Sequence, residues 1–185
     1  MLKYSDKITV DGKKYDAVLL KAEKKDAPKL KKLYGAWLEL KNGLKNFESR
    51  APNLPEGISE GAFSLEFDCP RVLDVTGTPG SYDCYNPKTH ERIQIKATTI
   101  RYDLTSFGPD SVWDVLYLLD FYRDGKFDGK YDVYKIPNDL IYNHQISRTQ
   151  TFRDQQAQGR RPRFSIKRNI IEAHDIKPIK TCKIG

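Results

Sequence analysis

The spacing of apolar residues along this chain changes several times, and each change marks a new element. Lys7 to Val10 and Tyr15 to Leu20 flank Asp11-Gly12, a pair suited to the positive φ angles of a tight turn, so the chain is expected to open with a β-hairpin. Beyond Asp26 the spacing lengthens to three and four residues. Leu30, Leu33, Tyr34, Trp37, Leu38 and Leu44 predict an amphipathic helix over about 27–46, with Asp26 as its cap, Pro28 in its first turn and its lysines on a solvated face. Pro52 breaks that helix. Pro55 opens a second, from which Ile58, Ala62, Phe63 and Leu65 point inward.

The spacing then shortens again. Arg71 to Val75 reads as a strand, and Gly77-Thr78-Pro79-Gly80 as the loop that follows it. Ser81 to Lys96 reads as a second hairpin: Tyr82 to Tyr85 is one strand, Asn86-Pro87-Lys88 begins the turn, and Arg92 to Thr98 returns. After a polar loop over Asp103 to Ser111, Val115 to Tyr122 is almost continuously apolar, the pattern of a central strand buried on both faces. Gly125 and Gly129 turn the chain into a neighbouring strand, Tyr131 to Ile136, which Pro137 stops; Asn138 to Tyr142 reads as a short helix. Asn143 to Gly159 is polar and without period, and Phe164 to Ile166 is a candidate short strand. With no repeat, second core or linker, residues 1–185 are expected to form one α/β domain, a central mixed β-sheet flanked by helices.

Composition narrows the function classes. At 38% hydrophobic and 31% charged, the chain holds no apolar run near the roughly 20 residues that cross a bilayer, so no membrane role is expected. Its first residues lack an apolar signal segment. Cys69, Cys84 and Cys182 are odd in number and match no metal-ligand spacing, which suggests free thiols in a reducing cytoplasm. Three scattered histidines argue against zinc. The net charge of +7 is unevenly divided: residues 1–46 carry 12 basic and 6 acidic groups, residues 47–144 carry 10 and 16, and residues 145–185 carry 10 and 3. An acidic middle between cationic flanks suits a polyanion handled by metal chemistry; a solvated basic surface has the same composition.

The second hairpin carries the candidate chemistry. Successive strand side chains face opposite ways, so Gln94 and Lys96 share one face and Ile93 and Ile95 the other. The isoleucines anchor the strand and hold the polar pair opposite Asp83. A carboxylate, an amide oxygen and an ammonium on one patch suit a hard cation and a phosphate, although any half-buried hairpin shows this alternation. Glu56 and Glu60, four apart, share a helix face where their repulsion favours a partner such as Arg50 or a metal ion, or simply solvent.

The order of these groups, Glu60 in a helix and then Asp83, Gln94 and Lys96 across a hairpin, resembles the PD-(D/E)XK nuclease superfamily. Asn53 to Phe63 (NLPEGISEGAF), Asp103 to Asp114 (DLTSFGPDSVWD) and Gln158 to Phe164 (QGRRPRF) resemble type II restriction endonucleases, nearest the small family of Bsp-type enzymes that cut GCNGC. The likeness covers roughly residues 27–170.

That resemblance implies a restriction-endonuclease-like fold and Mg²⁺-dependent hydrolysis of double-stranded DNA at a short GC-rich palindrome such as GCNGC. It implies that Asp83 is a metal-binding acid and that Lys96 lies by the attacked phosphate. Gln94 stands where the superfamily more often has Asp or Glu, and Tyr82 where it has proline. An amide carbonyl ligates Mg²⁺ but brings no charge, so Glu60 is expected to supply it as a further ligand. DNA contact is assigned to the basic segment over about 145–185. There Arg160, Arg161 and Arg163 would read guanines or clamp phosphates, and Gln155, Gln156 and Gln158 would add base contacts. Ser106, in the loop before, is a candidate for backbone contact. A palindromic site implies a homodimer, and a restriction enzyme implies a companion DNA methyltransferase in the host, not necessarily touching it. Two alternatives stay open: a repair or junction-resolving nuclease of the same fold, and a DNA-binding protein whose Gln94 marks a lost catalytic site.

Overall fold

In the computed structural model of the chain, the apolar run Val115–Asp120 lies within the main sheet with a separate core on each side. The structure describes residues 1–78 and 80–184; Pro79, expected in the loop ahead of the second hairpin, and Gly185, the end of the basic segment, lie outside the described residues. In chain order the elements are β1 (Leu2–Val10), β2 (Lys13–Lys21), α1 (Ala27–Lys45), α2 (Glu56–Phe67), β3 (Arg71–Val75), β4 (Cys84–Tyr85) and β5 (Arg92–Thr98). They continue with β6 (Thr105–Ser106), β7 (Val115–Asp120), β8 (Lys130–Ile136), α3 (Asn138–Tyr142), α4 (Phe152–Ala157), β9 (Arg163–Phe164) and β10 (Lys180–Lys183).

Among the described residues eight strands form one sheet in the order β1-β2-β3-β4-β5-β7-β8-β10, and β6 pairs with β9 apart from it. Among the described residues only β5 and β7 run parallel in this sheet; its other neighbours are antiparallel. The sheet is therefore mixed, and the molecule is a single α/β domain compatible with a restriction-endonuclease-like fold. Leu30, Tyr34 and Trp37 of α1 and Ile58, Ala62 and Phe63 of α2 cover one face, over Ile93, Ile95, Leu119 and Val133. On the other face Leu116, Leu118 and Ile136 meet Ile141 of α3, Phe152 of α4 and Ile166, Ile170 and Ile171 of the C-terminal segment. A third, smaller cluster fastens the opening hairpin through Ile8, Val10, Leu19, Tyr82 and Tyr85.

Three local differences from the sequence expectation have physical causes. The outgoing strand of the second hairpin shrinks to Cys84–Tyr85, because Ser81 leaves β5 to bridge Ser111 and exchange backbone hydrogen bonds with Asp110 and Val112. The central strand stops at Asp120 rather than Tyr122. Its carboxylate accepts the N–H groups of Tyr122 (2.9 Å) and Arg123 (3.3 Å), which turns the chain. The polar stretch after Asn143 contains α4, a helix too short to display a period, started by a reciprocal cap between Thr151 and Asp154. Beyond these, Lys167–Glu172 forms a π-helical turn, and β10 closes the sheet with Cys182 and Ile184 in the first core.

Candidate active site

The departure of Ser81 from β5 leaves Asp83 at the point where two neighbouring strands separate. Its backbone still pairs on both sides, donating to Ile93 and accepting from Val72. Its carboxylate accepts the N–H of Ile95 at 2.7 Å and also a hydrogen bond from the Gln94 side-chain amide. Four hydrogen bonds on one residue hold the acid in a single orientation.

β5 alternates as expected. Ile93 and Ile95 enter the first core, whereas the Lys96 ammonium lies 5.1 Å from the ring centroid of Phe107, in the second. Gln94 is buried, at 4% exposure. Asp83, Lys96 and Ile95 line a cleft of about 230 Å³ together with Glu56, Ser59 and Glu60 of α2, Asn53 and Leu54 before it, and Thr99 and Asp103 after β5. Four carboxylates thus share one cleft with one ammonium.

Burial dominates the electrostatics. It raises the pKa of Asp83 and lowers that of Lys96, in each case against the pull of the other's charge. Burial, with the neighbouring Asp83 charge as the second cause, lifts Glu60 to about 7, although Arg71 partly offsets this with an Nε–Oε2 ion pair of 2.6 Å. Asp103 is raised as well, again chiefly by burial. A site that disfavours its own carboxylate charges in this way gains from any added cation.

The donor set suits a hard divalent ion. The Asp83 charge is close enough to disfavour the ionised form of Glu60, and both carboxylates are poorly solvated. Gln94 presents its NH₂ group to Asp83; turning the amide over would present its carbonyl oxygen in the same place. Among the described residues no group of three His, Cys, Asp or Glu side chains is arranged to hold a metal ion by itself. The residues that could hold one are therefore Asp83, Glu60 and Gln94, with remaining positions left to water or a phosphate oxygen.

The structure brings Glu60, Asp83 and Lys96 into one cleft and places Gln94 directly behind Asp83. Of the basic segment, Arg161 is near enough to depress the Lys96 pKa further. Arg163 and Ser106 are register partners in the β6–β9 pair, and Arg163 is exposed. The Ser106 hydroxyl is buried and has no hydrogen-bond partner among the described residues. Exposed Arg160 donates to Gln150 at 2.8 Å, and Gln150 also binds Gln158 (3.0 Å) and buried Gln155 (3.3 Å). Gln156 donates to the carbonyl oxygens of Gly108 (3.3 Å) and Ser111 (2.9 Å), tying α4 to the polar loop.

Sequence reasoning missed two residues here. It offered Arg50 or a metal ion as partner for the α2 carboxylates, yet the ion-pair partner of Glu60 is Arg71 of β3. That strand's register sets Arg71 opposite Cys84, next to Asp83. Asp103 opens both the polar loop and one of the family-like blocks, but the sequence gives it no role of its own. Tertiary contacts decide both, since Asp103 is folded into the cleft wall and Arg71 is folded against Glu60 from outside it.

Residues 22–173 match the family model described as RE_Bsp6I, Bsp6I restriction endonuclease. The chain is also 42% identical over 153 residues to the type II restriction enzyme Bsp6I of Bacillus sp. (strain RFL6), an alignment that covers 80% of this chain and 82% of that enzyme. No solved structure matches it. Every residue lining the cleft falls within the matched span.

Proposed function

The chain belongs to the Bsp6I restriction endonuclease family, and from that membership we propose that it is a type II restriction endonuclease whose active site is the Asp83 cleft. The observation that carries the assignment is the convergence of Glu60, Asp83 and Lys96 in one poorly solvated cleft. The substrate is double-stranded DNA, the cofactor Mg²⁺, and the reaction hydrolysis of a phosphodiester at a short palindrome, GCNGC on the resemblance in the sequence. The enzyme acts in the cytoplasm, alongside a companion methyltransferase that protects the host's own sites.

Asp83, Glu60 and Gln94 would hold the ion. The chemistry such an ion would supply there is polarisation of the phosphate and a lowered pKa for a bound water molecule. Asp83 is kept in its binding orientation by the Ile95 N–H, and Glu60 is aligned by Arg71. Lys96 is backed by Phe107 and positioned to donate to a phosphate oxygen as negative charge builds there. The shortage of water around these groups strengthens each interaction. Arg161 beside the cleft and exposed Arg160 and Arg163 meet the duplex, and a homodimer places two such clefts on the two strands.

Incubation of the purified protein with phage DNA and Mg²⁺ tests the assignment. Discrete fragments are expected with Mg²⁺ and none with a chelator. A smear, preference for branched over linear duplex, or no cleavage with any divalent cation would contradict it.

A further inference from the structure

The loop that follows β5 carries a surface which the cleft chemistry does not use. Thr99 and Asp103 line the cleft, while between and beyond them Ile100 (48% exposed), Tyr102 (40%) and Leu104 (70%) face solvent. Such a run of exposed apolar side chains on a short loop calls for an occupant. The loop is also held firmly. Lys41 of α1 donates to the Thr99 carbonyl oxygen at 3.3 Å, and the Thr98 hydroxyl donates to the Ile100 carbonyl oxygen at 2.8 Å.

Two arginines converge on its centre. The guanidinium carbon of Arg101 lies 5.2 Å from the Tyr102 ring centroid, and that of Arg168, from the π-helical turn, lies 5.8 Å away. Both arginines are exposed, and among the described residues neither forms an ion pair with a carboxylate. Stacking on an aromatic ring orients a guanidinium and leaves its N–H groups free to point outward. Two oriented, unpaired cations on a fixed platform next to a phosphate-handling cleft complement a polyanion rather than a second apolar surface.

We propose that the Thr99–Leu104 loop and Arg168 form a duplex-backbone contact beside the active site, in which Arg101 and Arg168 each take a phosphate and Tyr102 holds them in place. The inference rests on the nuclease reading of the cleft and extends it to residues outside the arginine cluster at 160–163. The contact is independent of base identity, so it orients the duplex over Asp83 without selecting its sequence.

The test is binding of a labelled 30-bp duplex, taken from a phage fragment that the wild-type protein cuts, measured by anisotropy over a salt series without divalent cation. Each lost phosphate contact lowers the slope of log K against log salt by ~0.9, so Arg101→Ala/Arg168→Ala should lower it by nearly 2 and weaken binding at least ~10-fold near 0.1 M salt. Tyr102→Ala should weaken binding several-fold, and Tyr102→Phe should restore it. Coincident thermal melts check folding. A wild-type protein that cuts DNA while the double variant keeps its slope and affinity overturns this contact alone. A double variant that instead changes its oligomeric state, with the slope unchanged, identifies a protein interface and also overturns it. A wild-type protein that neither binds nor cuts duplex removes the nuclease reading and this surface with it.

Discussion

Glu60→Gln should make the protein more stable and less active, and the size of the gain follows from the cleft. The Glu60 side chain is 12% exposed and titrates near 7, against 4.5 in an open chain, chiefly because burial disfavours its charge. Since the folded value lies above the unfolded one, Glu60 favours folding fully below about pH 4.5, and that contribution is lost as the pH rises through 7. At ~1.4 kcal/mol per pH unit, the ionised carboxylate costs roughly 3 kcal/mol above pH 7. Glutamine keeps the shape without the charge. The variant should therefore match wild type near pH 4 and exceed it by roughly 3 kcal/mol at pH 8, a rise of roughly 6–12 °C in Tm for a chain of this size. Thermal or urea unfolding at the two pH values, without divalent cation, measures this directly. Adding Mg²⁺ should raise the Tm of wild type more than that of the variant, and cleavage by the variant should fall severely. A variant less stable than wild type at pH 8, or a difference that ignores pH, would refute the reasoning that burial strains this carboxylate; near-normal cleavage would remove Glu60 from the site.

Other residues give separate tests. Asp83→Ala and Lys96→Ala should each lower cleavage by at least ~10²–10³-fold while duplex binding without Mg²⁺ persists, as read by gel shift beside the cleavage assay; equal loss of binding would make them DNA contacts instead. Arg71→Ala removes the partner of Glu60, so the Glu60 pKa should rise further and the acid limb of the pH–rate profile should move to higher pH, with activity recovering at alkaline pH; an unmoved limb would show that Arg71 does not act through Glu60. Lys167→Met leaves the buried Asp120 carboxylate without its cationic partner and should cost about 3 kcal/mol in urea unfolding, where a loss under 1 kcal/mol would show that the backbone N–H groups suffice. Phe107→Ala, at a position with no exposure, should cost 3–5 kcal/mol and lower kcat by freeing Lys96; in Phe107→Leu most of the stability should return.

The fold was legible wherever burial imposes a period. The apolar run at Val115 showed a strand covered on both faces, and the three- and four-residue spacing from Leu30 showed α1. The alternation of Ile93, Gln94, Ile95 and Lys96 also separated the core-facing residues of β5 from its chemical ones. What escaped were features decided by contacts between distant segments. Ser81 pairs with Ser111 rather than continuing the hairpin, and it is this departure that leaves Asp83 at the edge of a cleft. Arg71 reads in the sequence as one residue of a strand, and it is the fold, with its register opposite Cys84, that brings it to Glu60. The C-terminal strand β10 gives only four residues, with a single buried side chain. A pattern that short cannot be told from loop.

The most direct test is to sequence the ends of the fragments produced from a DNA of known sequence by the wild-type protein with Mg²⁺, with Asp83→Ala as control. The nuclease assignment requires every end to fall at one short palindrome, GCNGC, and the control to leave the DNA intact. Ends scattered without a shared sequence, or the same fragments from Asp83→Ala, would contradict it.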